Sequence, residues 1–441
     1  MDTIAVKFGG SSLASAAQIK KAADIIRADA NRRYVVVSAP GKRDDADVKV
    51  TDLLYRCYDE AAAGQDFSET LGRIADRYAQ IIRELPVDFD LDAEIDVLRE
   101  HLRTKPNRDY MASRGEYLNG RVIAAYLGYP FVEPAECIFF TDYGVLDEER
   151  TFRVLGDRLR SLPNAVVPGF YGAMPDGRVR TFSRGGSDIT GSVVALAVKA
   201  KLYENWTDVS GMLSADPRVV DNPGVIEHIT YTELRELSYM GASVLHEDAI
   251  FPVRRGGIPI NIRNTNRPGD PGTMIEPALT KGIRRGVVTG VAGKKGFTCV
   301  CVEKSMMNAE VGFIVKLLGI FAKFGVPFEH CPTGIDTVSV IVDKNLFEQN
   351  RENVLLEIQR ELSPDAMTVE DDAMALIAVV GHGMTGVKGT AARVLKGLAD
   401  GDINIRLIDQ GSSELNIIVG VNEADCENAI RAIYSAVESL M

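Results

Sequence analysis

The sequence is poor in the residues that mark secreted, metal-clustered and membrane proteins. Six cysteines occur among 441 residues, at 57, 137, 299, 301, 331 and 426, and none falls in a C-x-x-C spacing. That excludes a disulfide-stapled scaffold and a zinc ribbon, and reduced thiols in a cytoplasmic protein are expected. Histidine is scarce too, with five in the chain. The single cluster, His246 beside Glu247 and Asp248, reads as a helix-surface trio, so no metal held by protein side chains is expected. The longest apolar runs, 193–198 and 375–380, fall far short of the roughly 20 residues that span a bilayer. The N-terminus has no basic segment followed by an apolar core, so no secretory leader is expected. An excess of cations is lacking as well: the net charge is −12. Neither nucleic acid nor an anionic membrane is then expected as the main partner, although one cleft can still be lined with cations.

What is present describes a chain with a large core, 46% hydrophobic and 25% charged, long enough for roughly three domains. From residue 1 to about 285, strands and helices alternate. Residues 3–8 and 33–39 read as strands, 14–29 as a helix with Ile19, Ala22, Ala23 and Ile26 on one face, and 51–126 as helix-rich. Further apolar runs at 165–171, 202–207 and 259–262 each adjoin a helical pattern. The turn signal at 174–177 predicts one hairpin. Such alternation predicts an α/β domain with a mostly parallel sheet and helices on both faces, which binds ligands beyond the carboxyl ends of its strands. Near "NRPGDPG" (266–272) the composition changes and the stretch reads as a loop or linker. Beyond it, helices at 311–324, 346–362, 386–399 and 425–440 alternate with strands in two β-α-β-β-α units. That predicts a tandem ferredoxin-like pair. The second unit lacks a fourth strand, and the unassigned "VVTGVA" (287–292) is expected to pair into it, interlocking the two.

Five stretches of the first domain sit where chemistry belongs. "VKFGGSS" places Lys7 in a strand, then Gly9 and Gly10, then Ser11 and Ser12 as N-cap candidates, a geometry that aims backbone N–H groups at an anion. The spacing matches neither the Walker A nor the dinucleotide fingerprint, and a plain tight turn is the competing reading. Ser38 ends a buried strand, and downstream Thr51 either caps a helix or binds a small polar ligand. Glu116, in "SRGEYLNG", is either solvated or functional. "FSRGGSDIT" joins Arg184, a second double glycine, Ser187 and Asp188 at a helix start, where a guanidinium can grip a carboxylate or phosphate and the dipole favours the acid. "WTDVSGMLSADPRVV" supplies Thr207, Asp208, Asp216 and Arg218, the mix of hydroxyls, carboxylates and cation that metal-bound phosphates want. Two glycine cradles and these charges fit phosphoryl transfer from a nucleotide. Spacing does not give the acceptor.

In this order, and followed by two small tandem units, "VKFGGSS", "SRGGSD", "TDVSG…DPR" and "GASVLH" resemble the aspartokinases over essentially the whole chain. The resemblance implies the amino-acid-kinase fold over 1–285 and ACT domains at 286–371 and 372–441. It implies transfer from ATP to L-aspartate to give 4-phospho-L-aspartate, the committed step toward lysine, threonine and methionine, with Mg²⁺ on the nucleotide. Lys7 would neutralise the transferring phosphoryl group while Gly9, Gly10 and Ser11 cradle it. Ser38, Thr51 and Ser187 would contact aspartate, Glu116 its ammonium and Arg184 a carboxylate. Asp188 would orient Lys7, and Thr207, Asp208, Asp216 and Arg218 would line the nucleotide.

The chain departs from the family at one motif. Many members read Gly-Ala-Lys-Val-Leu-His-Pro, where the lysine helps bind nucleotide; here Ser243 and Glu247 stand at the lysine and proline positions. The resemblance also implies a homodimer through the ACT domains, or a tetramer, with an amino-acid effector, lysine rather than threonine. Glu329 would meet the effector's ammonium and the amides near Met307 and Gly312 its carboxylate; the competing reading leaves Glu329 solvated at a strand end. No homoserine dehydrogenase is expected after Met441. The alternatives are a kinase of this fold with another acceptor, or a catalytically weak amino-acid sensor.

Overall fold

The structure, a computed structural model, describes residues 2–183, 185–242, 245, 247–278, 286–370 and 372–441, without the side chains of Glu247 and Asp248. It divides into two compact units. The first comprises Met1–Met212, Val225–Leu234 and Val244–Gly282, the second Leu213–Gly224, Arg235–Ser243 and Ile283–Met441. Two short segments inside the region expected to be the first domain therefore belong with the C-terminal part of the chain.

In the first unit the chain runs through β1 (Ile4–Phe8), α1 (Ala16–Arg27), β2 (Arg32–Val37) and four helices, α2 (Val50–Ala62), α3 (Ser68–Glu84), α4 (Leu91–Thr104) and α5 (Arg108–Leu127). Then come α6 (Glu148–Arg160), β3 (Ala165–Pro168), β4 (Tyr171–Ala173), β5 (Val179–Thr181), α7 (Gly186–Ala197) and β6 (Leu202–Thr207). A two-residue ladder of β7 (Met212–Leu213) with β8 (Val225–Ile226) follows, then β9 (His228–Thr230), α8 (Tyr231–Tyr239), α9 (Glu247–Arg255), β10 (Ile260–Asn264) and β11 (Thr273–Glu276); Leu213 and α8 from Arg235 onward are assigned to the second unit. The main sheet has the order β3-β2-β1-β6-β10-β11-β9, parallel except for β10 against β11. Val35, Val36 and Val37 are wholly buried, as strands covered on both faces require. On α1, Ile19, Ala22, Ala23 and Ile26 are all buried against this sheet. Each isoleucine contributes roughly 1.5–3 kcal/mol relative to exposure.

Three local expectations change. Ser15, not Ser11 or Ser12, caps α1, accepting from the Gln18 amide; Ser11–Leu13 form a 3-10 turn. The run 165–171 breaks at Phe170, whose φ of +82° is left-handed and ends β3. The "NRPGDPG" stretch is a hairpin loop inside the first unit, because β11 turns back onto β10. Gly272 makes that turn at φ +72°, where a β-carbon would collide with the Ile262 carbonyl oxygen.

The second unit contains β12 (Gly290–Glu303), α10 (Phe313–Lys323), β13 (Phe328–His330), β14 (Thr337–Asp343), α11 (Lys344–Glu348), α12 (Arg351–Leu362) and β15 (Ala366–Val369). It continues with β16 (Met374–Val380), α13 (Thr390–Asp400), β17 (Leu407–Asp409), β18 (Asn416–Asn422) and α14 (Cys426–Val437). Its antiparallel sheet runs β13-β14-β12-β16-β18-β17, with β15 also on β12. Residues 290–294 pair with β16, while 297–303 pair with β14. The stretch 290–303 is thus one strand serving two lobes, each with its own apolar core. The cysteines are free thiols. No helix among the described residues is long and apolar enough to cross a membrane.

Candidate active site

The sheet order creates a switch point. From β1 the chain moves outward through β2 to β3, then returns to β6 on the other side of β1. The carboxyl ends of β1 and β6 therefore flank the point where the strand order reverses, which is where open α/β sheets bind ligands. Lys7 and Asn205 are register partners on these strands. The Lys7 ammonium lies 2.5 Å from Asp188 Oδ1, and it donates to Asn205 Oδ1 at 3.5 Å. Asn205 Nδ2 donates to the same Asp188 oxygen at 2.8 Å. Asp188 comes from the first turn of α7, whose dipole favours a carboxylate there. Lys7 and Asn205 are both buried, so this charge works where water screens it little.

The two glycines after Lys7 have different jobs. The Gly9 N–H donates to the Trp206 carbonyl at 2.9 Å, so it belongs to the sheet and not to a phosphate cradle, which corrects the sequence reading. What Gly9 leaves open is space: a β-carbon there would sit 3.7 Å from Lys7 Nζ. Gly10 packs against the next loop: Gly41 N–H donates to its carbonyl at 2.8 Å, a β-carbon on Gly10 would lie 3.0 Å from the Ala39 carbonyl oxygen, and one on Gly41 would meet Gly10 C at 2.6 Å.

Helix α5 forms one wall. Gly115 and Gly120 let it approach closely, because β-carbons there would lie 2.7 Å from Ala39 Cβ and from Pro168 Cγ. Glu116 is thereby buried, 5% exposed, and not solvated. Burial pushes its carboxyl group up to about 8, against the opposing pull of the Ala39 backbone, Arg114 and Lys7. Its Oε2 has no hydrogen-bond partner, and neither has Oδ1 of Asn119 one turn on, whose Nδ2 donates to the Ser38 carbonyl at 2.7 Å. Two orphaned acceptors on one helix face suit a cationic ligand group. Thr51 does not cap α2; the cap is Lys49, and no side chain serves it. The loop between is held by Arg77, which donates to the Gly41 carbonyl and to Asp47.

At the start of α7, Ser187 nests against Gly169, where a β-carbon would meet its Oγ at 2.6 Å. Gly186 is needed for the same reason by the Phe170 ring, at 2.4 Å. Arg184 lies outside the described residues. Thr207 and Asp208 end β6, the threonine hydroxyl donating to Asp208 Oδ1 at 3.2 Å. Asp216 and Arg218 belong to the second unit and pair with one another, Nη2 to Oδ2 at 2.6 Å, which lowers the aspartate's carboxyl below its ordinary value. Ser243 and His246 also lie outside the described residues. Sequence reasoning missed Asn205 and Asn119. An amide inside the apolar strand "YENWT", two residues before Thr207 and hence on its face, was the available signal.

In the second unit, Glu329 is half-buried on the edge strand β13 and accepts from the Tyr239 hydroxyl at 2.5 Å. The amides of Met307, Asn308, Ala309 and Glu310 donate within their own turn or to Ile335. Only Val311 and Gly312 in that stretch keep N–H groups clear of such bonds, so the carboxylate cradle expected near Met307 narrows to these two.

The model of the amino acid kinase family matches residues 2–264, and an ACT domain model matches 377–437. The chain is 40% identical to aspartokinase 3 of Bacillus subtilis, over 97% of each chain. It is similar to the crystal structure of Clostridium acetobutylicum aspartate kinase, with a TM-score of 0.87, 47% identity and complete coverage of both chains. Escherichia coli aspartokinase III is more distant at 25% identity. Its complex with aspartate and ADP gives a TM-score of 0.75 over 99% of this chain and all of that one. Its complex with lysine and aspartate gives 0.71 over the whole of both.

Proposed function

This chain belongs to the aspartokinases, and on that premise we propose that it phosphorylates the side-chain carboxylate of L-aspartate with Mg-ATP, under feedback from an amino acid held by the ACT region. The observation that carries the reading is the Lys7–Asp188–Asn205 cluster at β1 and β6, in electrostatic contact with a buried Glu116 whose Oε2 has no hydrogen-bond partner.

The substrate carboxylate is ionised at neutral pH and is itself the nucleophile, so no general base is needed. One of its oxygens forms the new O–P bond as the bond to the bridging β,γ-oxygen breaks, and ADP departs with that electron pair. Lys7 offsets charge on the transferring group, the principal service a protein renders this reaction. Glu116 receives the substrate ammonium, with Asn119 Oδ1 beside it, and Ser38, Thr51, Ser187 and Arg184 complete the aspartate site. Ser11, Thr207 and Asp208 lie on the nucleotide side. No group of three metal-ligating side chains exists among the described residues, and Mg²⁺ is taken to arrive on the phosphates as part of the substrate.

Lysine is the proposed effector, bound by Glu329 with the Val311 and Gly312 amides; the lysine complex of the E. coli relative supports this. Exposed Met306, Val311, Val315, Phe328 and Ile335 in the same lobe support a homodimer formed there. Acyl phosphate trapped by hydroxylamine from Mg-ATP and L-aspartate tests the reaction. An aspartate-dependent signal supports it. Silence from folded protein at saturating ATP moves the reading to another acceptor or to an amino-acid sensor.

A further inference from the structure

We infer that Asn205 is a positioning residue for phosphoryl transfer, the third member of a closed ring that fixes the direction in which Lys7 presents its charge. This rests on the kinase reading above. A lysine ammonium on a four-carbon stem, paired with one carboxylate, can swing about that contact. Here that swing is opposed, because the side chain opposite it in the β1–β6 ladder accepts a second N–H at 3.5 Å while also donating to the carboxylate at 2.8 Å. Asparagine is suited to both tasks at once: Oδ1 accepts, Nδ2 donates, and the residue adds no charge. An aspartate there would set a second anion against Asp188, and a leucine would leave Asp188 short of a donor. With two N–H vectors committed, the third is left for a ligand; Nζ stands 3.7 Å from where a β-carbon on Gly9 would be.

The surroundings make the amide's role separable. The neighbouring strand β10 presents the uncharged Ile262 in register with Asn205. From α7 comes Asp188, from β1 Lys7, and from β6 itself Tyr203, whose hydroxyl donates to the Asp188 main-chain carbonyl at 3.4 Å. Among the described residues, Glu116 on α5 is a further titratable group in electrostatic contact with Lys7.

Two variants test the ring. Asn205→Leu lowers kcat by about 10- to 100-fold, the scale of a lost positioned donor, with KM for aspartate and ATP changed less than threefold. Asn205→Asp is impaired at pH 8, but its kcat relative to wild type rises at least fivefold as the pH falls to 6. A protonated carboxyl group donates to Asp188 and accepts from Lys7 as the amide does, and taking the ratio to wild type cancels the titration of Glu116. A flat ratio, or an Asn205→Leu kcat within twofold of wild type, overturns the inference. If wild type forms no acyl phosphate, the kinase reading fails by itself. The ring is then judged by acetylation of Lys7 with acetic anhydride, followed by mass spectrometry. At least threefold faster modification in the folded Asn205 variants sustains it, and equal rates overturn it.

Discussion

The two units treat polar groups in opposite ways. Of the buried polar and charged side chains among the described residues, only Ser214, Thr298, Glu357 and Thr390 belong to the second unit; Lys7, Arg77, Glu116, Asn119, Glu204 and Asn205 are among those of the first. The parallel sheet is covered on both faces, so polar side chains on its strands and on the helices against it are buried, where each charge needs a partner or a ligand. The antiparallel sheet keeps an apolar interior and puts its candidate effector residue on an edge strand, in contact with solvent. Transition-state stabilisation needs charge fixed in advance in a low dielectric, whereas reversible sensing needs only a contact that a ligand can join.

The contrast breaks if the buried cluster proves dispensable. Lys7→Ala is expected to lower kcat by on the order of 10²-fold or more, the loss seen when one donor to a developing charge is removed. Steady-state kinetics with folded variant measure it, and nearly unchanged turnover would take Lys7 out of the mechanism. Glu116 sharpens the contrast through pH. Its carboxyl group titrates near 8 in the folded protein against an ordinary 4.5, so between these values the folded protein binds the extra proton. Stability of the ligand-free protein therefore falls as pH rises from about 4.5 to 8. Aspartate binding follows the other sign: the ammonium wants the carboxylate, so KM for aspartate falls as pH rises from 6 toward 8 and levels off above. Glu116→Gln abolishes both slopes and raises KM at pH 8 by about 10- to 100-fold, the worth of a charge-assisted hydrogen bond. A pH profile of KM that is the same for wild type and variant would remove Glu116 from the ammonium site.

Legibility in the sequence follows the same division. The alternation of strands and helices and the glycine-serine turns carried the kinase fold, because backbone geometry restricts which residues such turns admit. Glu116 was readable only by resemblance: its burial depends on Gly115 and Gly120 meeting Ala39 and Pro168, contacts between segments far apart in the chain. Asn205 was hidden because a strand's neighbours are not written in its own sequence; its meaning appears only when β1 lies beside β6. The Gly9 amide was misread for the same reason, since its acceptor is the Trp206 carbonyl. The assignment of 213–224 to the second unit, with Ala215 and Val220 in that unit's core, left no periodic mark at all.

At the edge strand the effects should be smaller. Glu329→Ala is expected to raise the lysine concentration for half-inhibition about tenfold with kcat unchanged, since an exposed charge pair is worth less than a buried one. Unaltered inhibition would move the effector elsewhere.

The smallest effect belongs to Tyr239. Its hydroxyl donates to Glu329 Oε2, and the Lys294 ammonium stands 5.1 Å from its ring centroid. An ionised carboxylate has about four acceptor positions, so Tyr239 and an effector ammonium can use Glu329 together, the phenol holding the carboxylate's orientation. Tyr239→Phe keeps the ring and removes the hydroxyl alone. One solvent-accessible hydrogen bond is worth about 0.5 kcal/mol, which weakens lysine inhibition by about twofold and leaves kcat untouched. Inhibition that tightens instead would mean that the phenol competes with the effector for Glu329. A loss as large as that of Glu329→Ala would place a rigid, preorganised site in the second unit after all, and the contrast between the two units would then lie in burial alone.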